Sequence, residues 1–534
     1  MVEVTLTLPE AIKRAAAAYE GGQLGEAERL ARVILDVKAD YFDALHLIAV
    51  IEARRRRHDE ALASYGRALA VRPDYAEALY NRGNTLQELK RFDEALATYD
   101  RALAVWPGFA EALNNRGNTL QELKRFDEAL ASYDRALAVR PGSAEALNNR
   151  GNTLQELKRF DEALASYDRA LTARPEHAET LYNRGNSLKE LKRFDEALAS
   201  YDRALAVRPD YGEVHWNESL VRLLTCDFVR GWEKFEWRWK TESLGLSRRN
   251  FAQPLWLGED GIEGKTILLY SEQGLGDTIQ FCRYVPLVAA RGARVLLQVP
   301  PSLQDLMASL AGIAQVIGPT NTLPDFDLHC PLLSLPLAFG TRLDTIPSAT
   351  PYLSASSESM RNWNISLRLK YRPRIGLVWS GNPALEKGHN RSIKLSSLLQ
   401  LLDVDATFVS LQKDIRPDDA TVLKDRSDLL HFGDKLKDFS DTAALISNLD
   451  LVISIDTSVA HLAGALARPV WVLLPFLSDW RWLLDRDDSP WYPTARLFRQ
   501  HAAGDWSGVI DHVGVELVKR LRAVGESDAD AAAR

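Results

Sequence analysis

Two passages from strand through turn to helix hold the residue types best suited to chemistry. In GLGDTIQF, Gly274 to Phe281, the glycines allow a tight turn and close ligand approach. Asp277 there falls at the start of a helix directly after a strand. A carboxylate at that place is either a helix N-cap or a base facing a cleft. In SIDTSVAHLAGAL, Ser454 to Leu466, Thr457 and Ser458 fall at or just before a second helix start. Their hydroxyls and the free N–H groups of a first turn suit a diphosphate. His461, one turn in, either reaches the same anion or makes an ordinary core contact. Asp456 orients the loop, meets a sugar or ribose hydroxyl, or caps the helix. A third passage, WSGNPALEKGHNRSI, sets Ser380, Gly381, Asn382, Lys387 and Arg391 after another strand. It is either a second clamp on phosphate or a solvated loop. Neither GxxxxGK[ST] nor GxGxxG occurs in these passages, so P-loop and dinucleotide readings lack their signatures.

The elements that must position these residues begin at Lys265. KTILLYSEQ, ARVLLQVP, FDLHCPLLSLP, RIGLVWSG, ATFVSLQ, LDLVISID and PVWVLLP each read as a strand. GLGDTIQFCRYVPLVAARG reads as a helix after its turn, with further helical runs at Ser396–Leu402, Asp441–Ser447 and Ser458–Leu466. Strands alternating with helices imply parallel sheets covered on both faces. Two such blocks, 262–355 and 373–525, predict two facing Rossmann-like α/β domains. Their ligand would lie in the cleft at the carboxyl ends of the strands. Trp480, Arg481 and Trp482 would line that cleft or fill its core.

The first part of the chain, 1–211, is repetitive. Pro73, Pro107, Pro141, Pro175 and Pro209 recur every 34 residues, and residues 83–116 differ from 117–150 at only three positions. Each unit predicts two helices, such as Ala76–Leu89 and Phe92–Val105, with the proline ending the second. One helix pair cannot bury its apolar face alone, so pairs stack into a superhelix. At its Gly, Ala, Tyr, Ala and Pro positions the unit resembles the tetratricopeptide repeat. Near-consensus copies fill 76–211 and looser ones precede them. Such an array is a spacer or binds a peptide on its concave face. Asn81, Asn115, Asn149, Asn183 and Asn217 occupy one place in the unit. An amide both donates and accepts, so this ladder can hold a peptide backbone, or it merely reflects duplication. A similar asparagine ladder occurs in the repeats of the protein O-GlcNAc transferases.

Between the two parts, 212–261 predicts an aromatic-rich helical junction. Trp216, Trp232, Phe235, Trp237, Trp239 and Trp256 there read as core glue or as a stacking platform. The chain has 534 residues, with 66 Lys and Arg against 73 Asp and Glu, a net charge of −7. That balance offers no global field for nucleic acid or anionic membrane. Cys226, Cys282 and Cys330 are too few and too far apart for a disulfide framework or a CxxC zinc site. No signal peptide or long apolar run is visible, so a soluble cytoplasmic protein without a transmembrane segment is expected.

GLGDTIQF and the run DTAALISNLDLVISIDTSVAHLAGALARPVWVLL together resemble the bacterial family 9, heptosyltransferase-type, glycosyltransferases. The resemblance covers roughly Lys265–Ala523. It implies the GT-B fold, a nucleotide-diphosphate sugar donor bound mainly by the C-terminal domain, and no bound metal or other cofactor. It assigns the catalytic base to Asp277 and donor-diphosphate binding to Asp456, Thr457 and His461. Ser458 stands where the family usually has Gly. The whole chain is similar to bacterial tetratricopeptide-repeat proteins carrying such a transferase domain, the repeats then presenting a protein acceptor. The alternative is an interaction scaffold with an inactive transferase-like domain.

Overall fold

A computed structural model describes residues 6–259, 261–319, 322–367, 373–381 and 391–532. It divides into two compact units, Met1–Asp210 and Tyr211–Arg534.

The first unit is a stack of helix pairs. It starts with Leu8–Glu20 and Leu24–Val37 and ends with Ala178–Glu190 and Phe194–Val207. The break inside each near-consensus pair is a single left-handed residue: Lys90, Lys124, Lys158 and Lys192 have φ between 57° and 59°. The repeated glycine has a specific task. A Cβ on Gly117 would sit 2.5 Å from Cε1 of Tyr133, a ring fully buried in the second helix of the same pair. The tyrosine hydroxyl then donates to Asn118 Oδ1 at 2.8 Å. Asn149 of the next pair donates to that same oxygen at 3.0 Å. Asn115 reaches Asn84 and Asn183 reaches Asn152 in the same way, both at 2.9 Å. Neighbouring first helices also approach one another more closely than second helices do, which bends the stack with the first helices inside.

The second unit opens with one more helix pair, Gly212–Leu224 and Phe228–Phe235, joined by a left-handed Cys226. It lies in the 34-residue register of the array. Trp232 and Phe235 within it and Trp256 beyond it are buried, and the Trp232 indole donates to the Thr341 carbonyl at 3.1 Å. Arg238 is fully buried against Glu272 and Ser334, at 3.0 and 2.7 Å.

Two parallel sheets follow. The first holds β1 (Thr266–Tyr270), β2 (Arg294–Gln298), β3 (Ile313–Ile317) and β4 (Leu328–Pro331), in the order β3-β2-β1-β4. The second holds β5 (Arg374–Val378), β6 (Thr407–Ser410), β7 (Leu429–His431), β8 (Leu451–Ile455), β9 (Val470–Leu474) and β10 (Ala495–Arg499). Its order is β10-β9-β8-β5-β6-β7. Both sheets reverse direction beside their first strand, between β1 and β4 and between β5 and β8. Such reversal points open the crevice in which doubly wound sheets bind ligands. The helix Trp506–Ala532 returns across the second sheet and buries Val509, Ile510, Val513 and Leu517 against Ile375 and Leu377.

Some expected elements differ. The helix predicted after the glycine turn is broken into Leu275–Phe281, a 3-10 turn at Cys282–Tyr284, and Val285–Ala290. Pro286, in the first turn of the last piece, has no N–H to continue the ladder. The run at 396–402 is one helical turn, Leu395–Leu398, followed by a 3-10 stretch.

The Gly117–Tyr133 contact can be tested against a helical glycine with free space around it. Overpacking costs about 1–3 kcal/mol, whereas Ala in place of Gly gains about 1 kcal/mol in an open helix. Gly117→Ala should therefore lower the midpoint of chemical denaturation. Gly66→Ala, where an added Cβ meets nothing within 4 Å, should raise it. Equal shifts in both variants would remove the packing role of Gly117.

Candidate functional site

Both reversal points open onto one cavity of about 680 Å³. Its lining includes Asp277 from the first sheet's turn, and Ser380, Gly381, Arg391, Asp456, Thr457, Ser458 and His461 from the second sheet. The geometry therefore brings these eight expected residues together. Asn382 and Lys387 lie outside the described residues.

The two helix starts touch. A Cβ on Gly276 would lie 2.9 Å from His461 Cδ2 and 3.4 Å from Ser458 Cα, so only a glycine fits without displacement. Next to it, Asp277 accepts from the Gly274 backbone N–H at 2.8 Å with one oxygen and from Arg481 with the other. Its side chain keeps 20 % exposure. Burial pushes this carboxyl above its ordinary range, and Arg481 opposes that shift. Arg481 also holds Asp479 at 2.8 Å and Gln280 at 2.6 Å, and lies 4.4 Å over the Trp480 ring.

The helix Ser458–Ala465, which meets that turn at Gly276, begins after an extended Thr457. Asp456, 8 % exposed, lies 3.8 Å from His461 Nε2 and 3.9 Å from Arg391. Burial and the neighbouring Asp479 raise its carboxyl to about 6, against the pull of Arg391 and Arg481. His461 is stacked on Trp482, at 5.4 Å and 16°, with Nδ1 3.0 Å from the Tyr492 hydroxyl. Burial, helped by three nearby arginines, keeps its imidazole neutral at ordinary pH. Ser380 Oγ and Arg391 Nε are buried without a hydrogen-bond partner among the described residues. Donor groups of that kind, beside a helix N-terminus, suit an anionic oxygen. Among the described residues no group of three metal-ligating side chains occurs.

The expected peptide ladder is half-buried. Asn115, Asn149 and Asn183 spend amide N–H groups on the preceding pair. Asn81 meets His46 at 3.3 Å, and Asn217 donates to the Glu213 carbonyl at 3.0 Å. Sequence reasoning passed over Tyr492, Gln412 and the place of Trp216, Leu220 and Phe235 in the cavity wall. For the last three, the 34-residue register was the available signal.

Comparison with known proteins places the first unit firmly. Residues 40–108, 74–141, 108–176 and 142–210 match the tetratricopeptide repeat family model. The first unit is thus a tetratricopeptide-repeat array, a class of scaffold that takes protein partners. Protein FlbA of Caulobacter vibrioides is 24% identical over 314 residues, covering 54% of this chain and 52% of that protein. The chain thus spans about half the length of this curated relative. Among solved structures, PilF of Pseudomonas aeruginosa is 20% identical with a TM-score of 0.37, covering 40% of this chain and 96% of its own. YrrB, described as a tetratricopeptide-repeat protein with an unusual peptide-binding site, is 23% identical with a TM-score of 0.32, covering 36% and 98%. Among the described residues no helix is long and apolar enough to cross a membrane.

The raised carboxyl of Asp456 gives a signed pH effect. Its folded value of about 6 exceeds the ordinary 3.8, so the folded state binds the extra proton between them. Stability from this group is present below that window and lost as pH rises through about 6. Asp456→Asn should therefore gain on wild type, by on the order of 1–3 kcal/mol, between pH 4 and pH 7. Parallel thermal melts across that range test it, and a difference independent of pH would sink it.

Proposed function

We propose that residues 262–525 form a GT-B glycosyltransferase similar to family 9 enzymes, inverting and metal-independent, with the repeats presenting a protein acceptor. One observation carries the reading. The Asp277 carboxylate shares a single cavity, at the reversal points of both sheets, with the Thr457–Ser458 helix start.

The chemistry follows from that arrangement. The acceptor hydroxyl oxygen bonds to the anomeric carbon from one face, and its proton passes to an Asp277 oxygen. The bond from that carbon to the diphosphate oxygen breaks on the opposite face, its electron pair leaving with the phosphate. The N–H groups at the Ser458 helix start and the Arg391 guanidinium stabilise the leaving charge, so no general acid is needed. Neutral His461, held by Tyr492, donates a hydrogen bond toward the same oxygens.

A scaffold with an inactive transferase-like unit is the second reading. The Asp277–Arg481 ion pair favours it, because a carboxylate engaged by a guanidinium is a weaker base.

Two experiments separate them. Asp277→Asn retains the size and the acceptor oxygen for Gly274 N–H but not the basicity. It should fold, bind a nucleoside diphosphate at near wild-type affinity and lose transfer by about 10²–10⁴-fold. His461→Ala and Arg391→Ala should each weaken that binding in calorimetry. Wild-type affinity in both variants, or no transfer by wild type from any nucleotide sugar, would leave the scaffold reading standing. The second experiment concerns the ladder. Changing Asn115, Asn149 and Asn183 together to Ala should lower the melting temperature and impair modification of a full-length polypeptide, with donor hydrolysis intact. Undiminished modification would return these amides to a purely architectural role.

A further inference from the structure

Arg283 is a buried charge that the proposed chemistry leaves unused. It lies in the 3-10 turn Cys282–Tyr284 and keeps 4 % exposure. Every hydrogen bond it makes among the described residues goes to a neutral oxygen. Its Nε donates to the Gln280 carbonyl at 2.8 Å. One terminal nitrogen donates to the Trp491 and Pro347 carbonyls at 2.6 and 3.2 Å, and the other to the Tyr352 hydroxyl at 3.0 Å. The guanidinium also lies over three rings, 4.6 Å from Tyr492, 4.8 Å from Tyr352 and 5.4 Å from Trp491. A buried charge without a counter-charge is costly, and such groups mark functional sites. The nearest of the three rings leads to the cavity. The Tyr492 hydroxyl lies 3.0 Å from His461 Nδ1, and His461 Nε2 lies 3.8 Å from Asp456. Gly464 makes room for the Tyr492 ring, which a Cβ at that position would overlap. Arg283 follows β1 and Tyr492 follows β9, so this chain of contacts joins the two sheets.

The geometry points to Arg283 as a positioning residue that, through Tyr492, fixes the ring hydrogen of His461 on Nε2 and leaves Nδ1 as an acceptor. A hydroxyl beside an imidazole nitrogen either donates or accepts, so the Tyr492 contact alone leaves the tautomer open. Arg283 decides it. A cation over a phenol ring draws electron density from the oxygen, which makes its O–H the better donor and its oxygen the poorer acceptor. In the same sense, burial raises the Tyr492 hydroxyl and Arg283 opposes that shift. The far side of the imidazole agrees. Asp456, raised to about 6, is ionised at neutral pH and accepts only, so hydrogen on Nε2 is the arrangement that faces it favourably. Burial, Arg481, Arg283 and Arg391 together keep a second proton off the ring. His461 then offers a donor on the nitrogen nearer Asp456, a residue that lines the same cavity. The inference rests on the transferase reading for the use of that donor against phosphate, not for the state of the ring.

The test uses magnetic resonance on the full chain, isotope-labelled at the histidine nitrogens. Loss of one signal pair in His461→Gln assigns the ring, and its two nitrogen shifts report which atom carries hydrogen. At neutral pH wild type should show an uncharged ring with hydrogen on Nε2. Arg283→Gln and Arg283→Met, which fill the space without the charge, should give a mixture of both tautomers. Arg283→Lys, which restores the cation, should return the wild-type pattern. Tyr492→Phe should also give the mixture. It removes one hydroxyl and keeps the ring packed on Gly464, so it guards against misfolding of the Arg283 variants. Calorimetry with ADP and UDP on the same samples should show binding weakened about threefold to tenfold in Tyr492→Phe, the ordinary return on one hydrogen bond. Hydrogen on Nδ1 or on both nitrogens in wild type would overturn the inference. So would an unchanged Nε2 pattern in Tyr492→Phe or in a folded Arg283→Gln or Arg283→Met. Loss of the Nε2 pattern in the variants with nucleotide binding undiminished would support the positioning role and remove His461 from the phosphate site of the transferase reading.

Discussion

The constraint on which the second unit turns is the contact of two helix N-termini. Each helix start carries a partial positive charge and unpaired N–H groups. Bringing two such ends together is unfavourable unless negative charge lies between or beside them. Gly276 permits the approach by having no side chain, and the approach then dictates the charges around it. Asp277 and Asp456 supply carboxylates at the two starts. Arg481 and Arg391 balance them, and Tyr492 fixes the imidazole of His461. Burial raises both carboxyls, and the guanidiniums beside them oppose that shift. Ser380 Oγ and Arg391 Nε beside them are buried without a hydrogen-bond partner among the described residues.

The first unit obeys a different rule, a close contact within each pair and a polar tie between pairs. Gly against Tyr sets the distance between the helices of a pair. The tyrosine hydroxyl and an asparagine from the following pair then converge on one amide oxygen. A single asparagine position thus serves both levels, which explains its recurrence without any ligand.

Much of this organisation was legible from periodicity. The 34-residue spacing fixed the helix pairs, and apolar runs before glycine or serine turns located seven strands. The three strands passed over share a physical cause. β3, IAQVI, is an edge strand with exposed Ala314 and Gln315, β7 has only three residues, and β10, ARLFR, carries two arginines at the opposite edge. Edge strands are partly solvated, so their composition carries no continuous apolar signature. The site was legible wherever its residues sat in a strand-to-helix turn. The Arg481–Asp277 pair was not, because its partners are 204 residues apart and only the folded sheets bring them together. The passage holding Asn382 was readable only as composition.

The final helix pair keeps the geometry of the repeat without its polar tie. In the array the tyrosine hydroxyl also reaches a glutamine, Gln87 or Gln155 at 3.0 and 3.1 Å, and the asparagine oxygen also accepts from the following pair, so loss of either member alone leaves the other with a partner. Replacing both by apolar groups of similar shape is nearly neutral. Leu220 and Phe235, which stand where the preceding pair has Asn186 and Tyr201, are that joint replacement, and the pair still packs with the same left-handed break at Cys226. The helix geometry is therefore retained without the polar pair. A repeat unit can in this way lose its buried polar pair while keeping the helix packing.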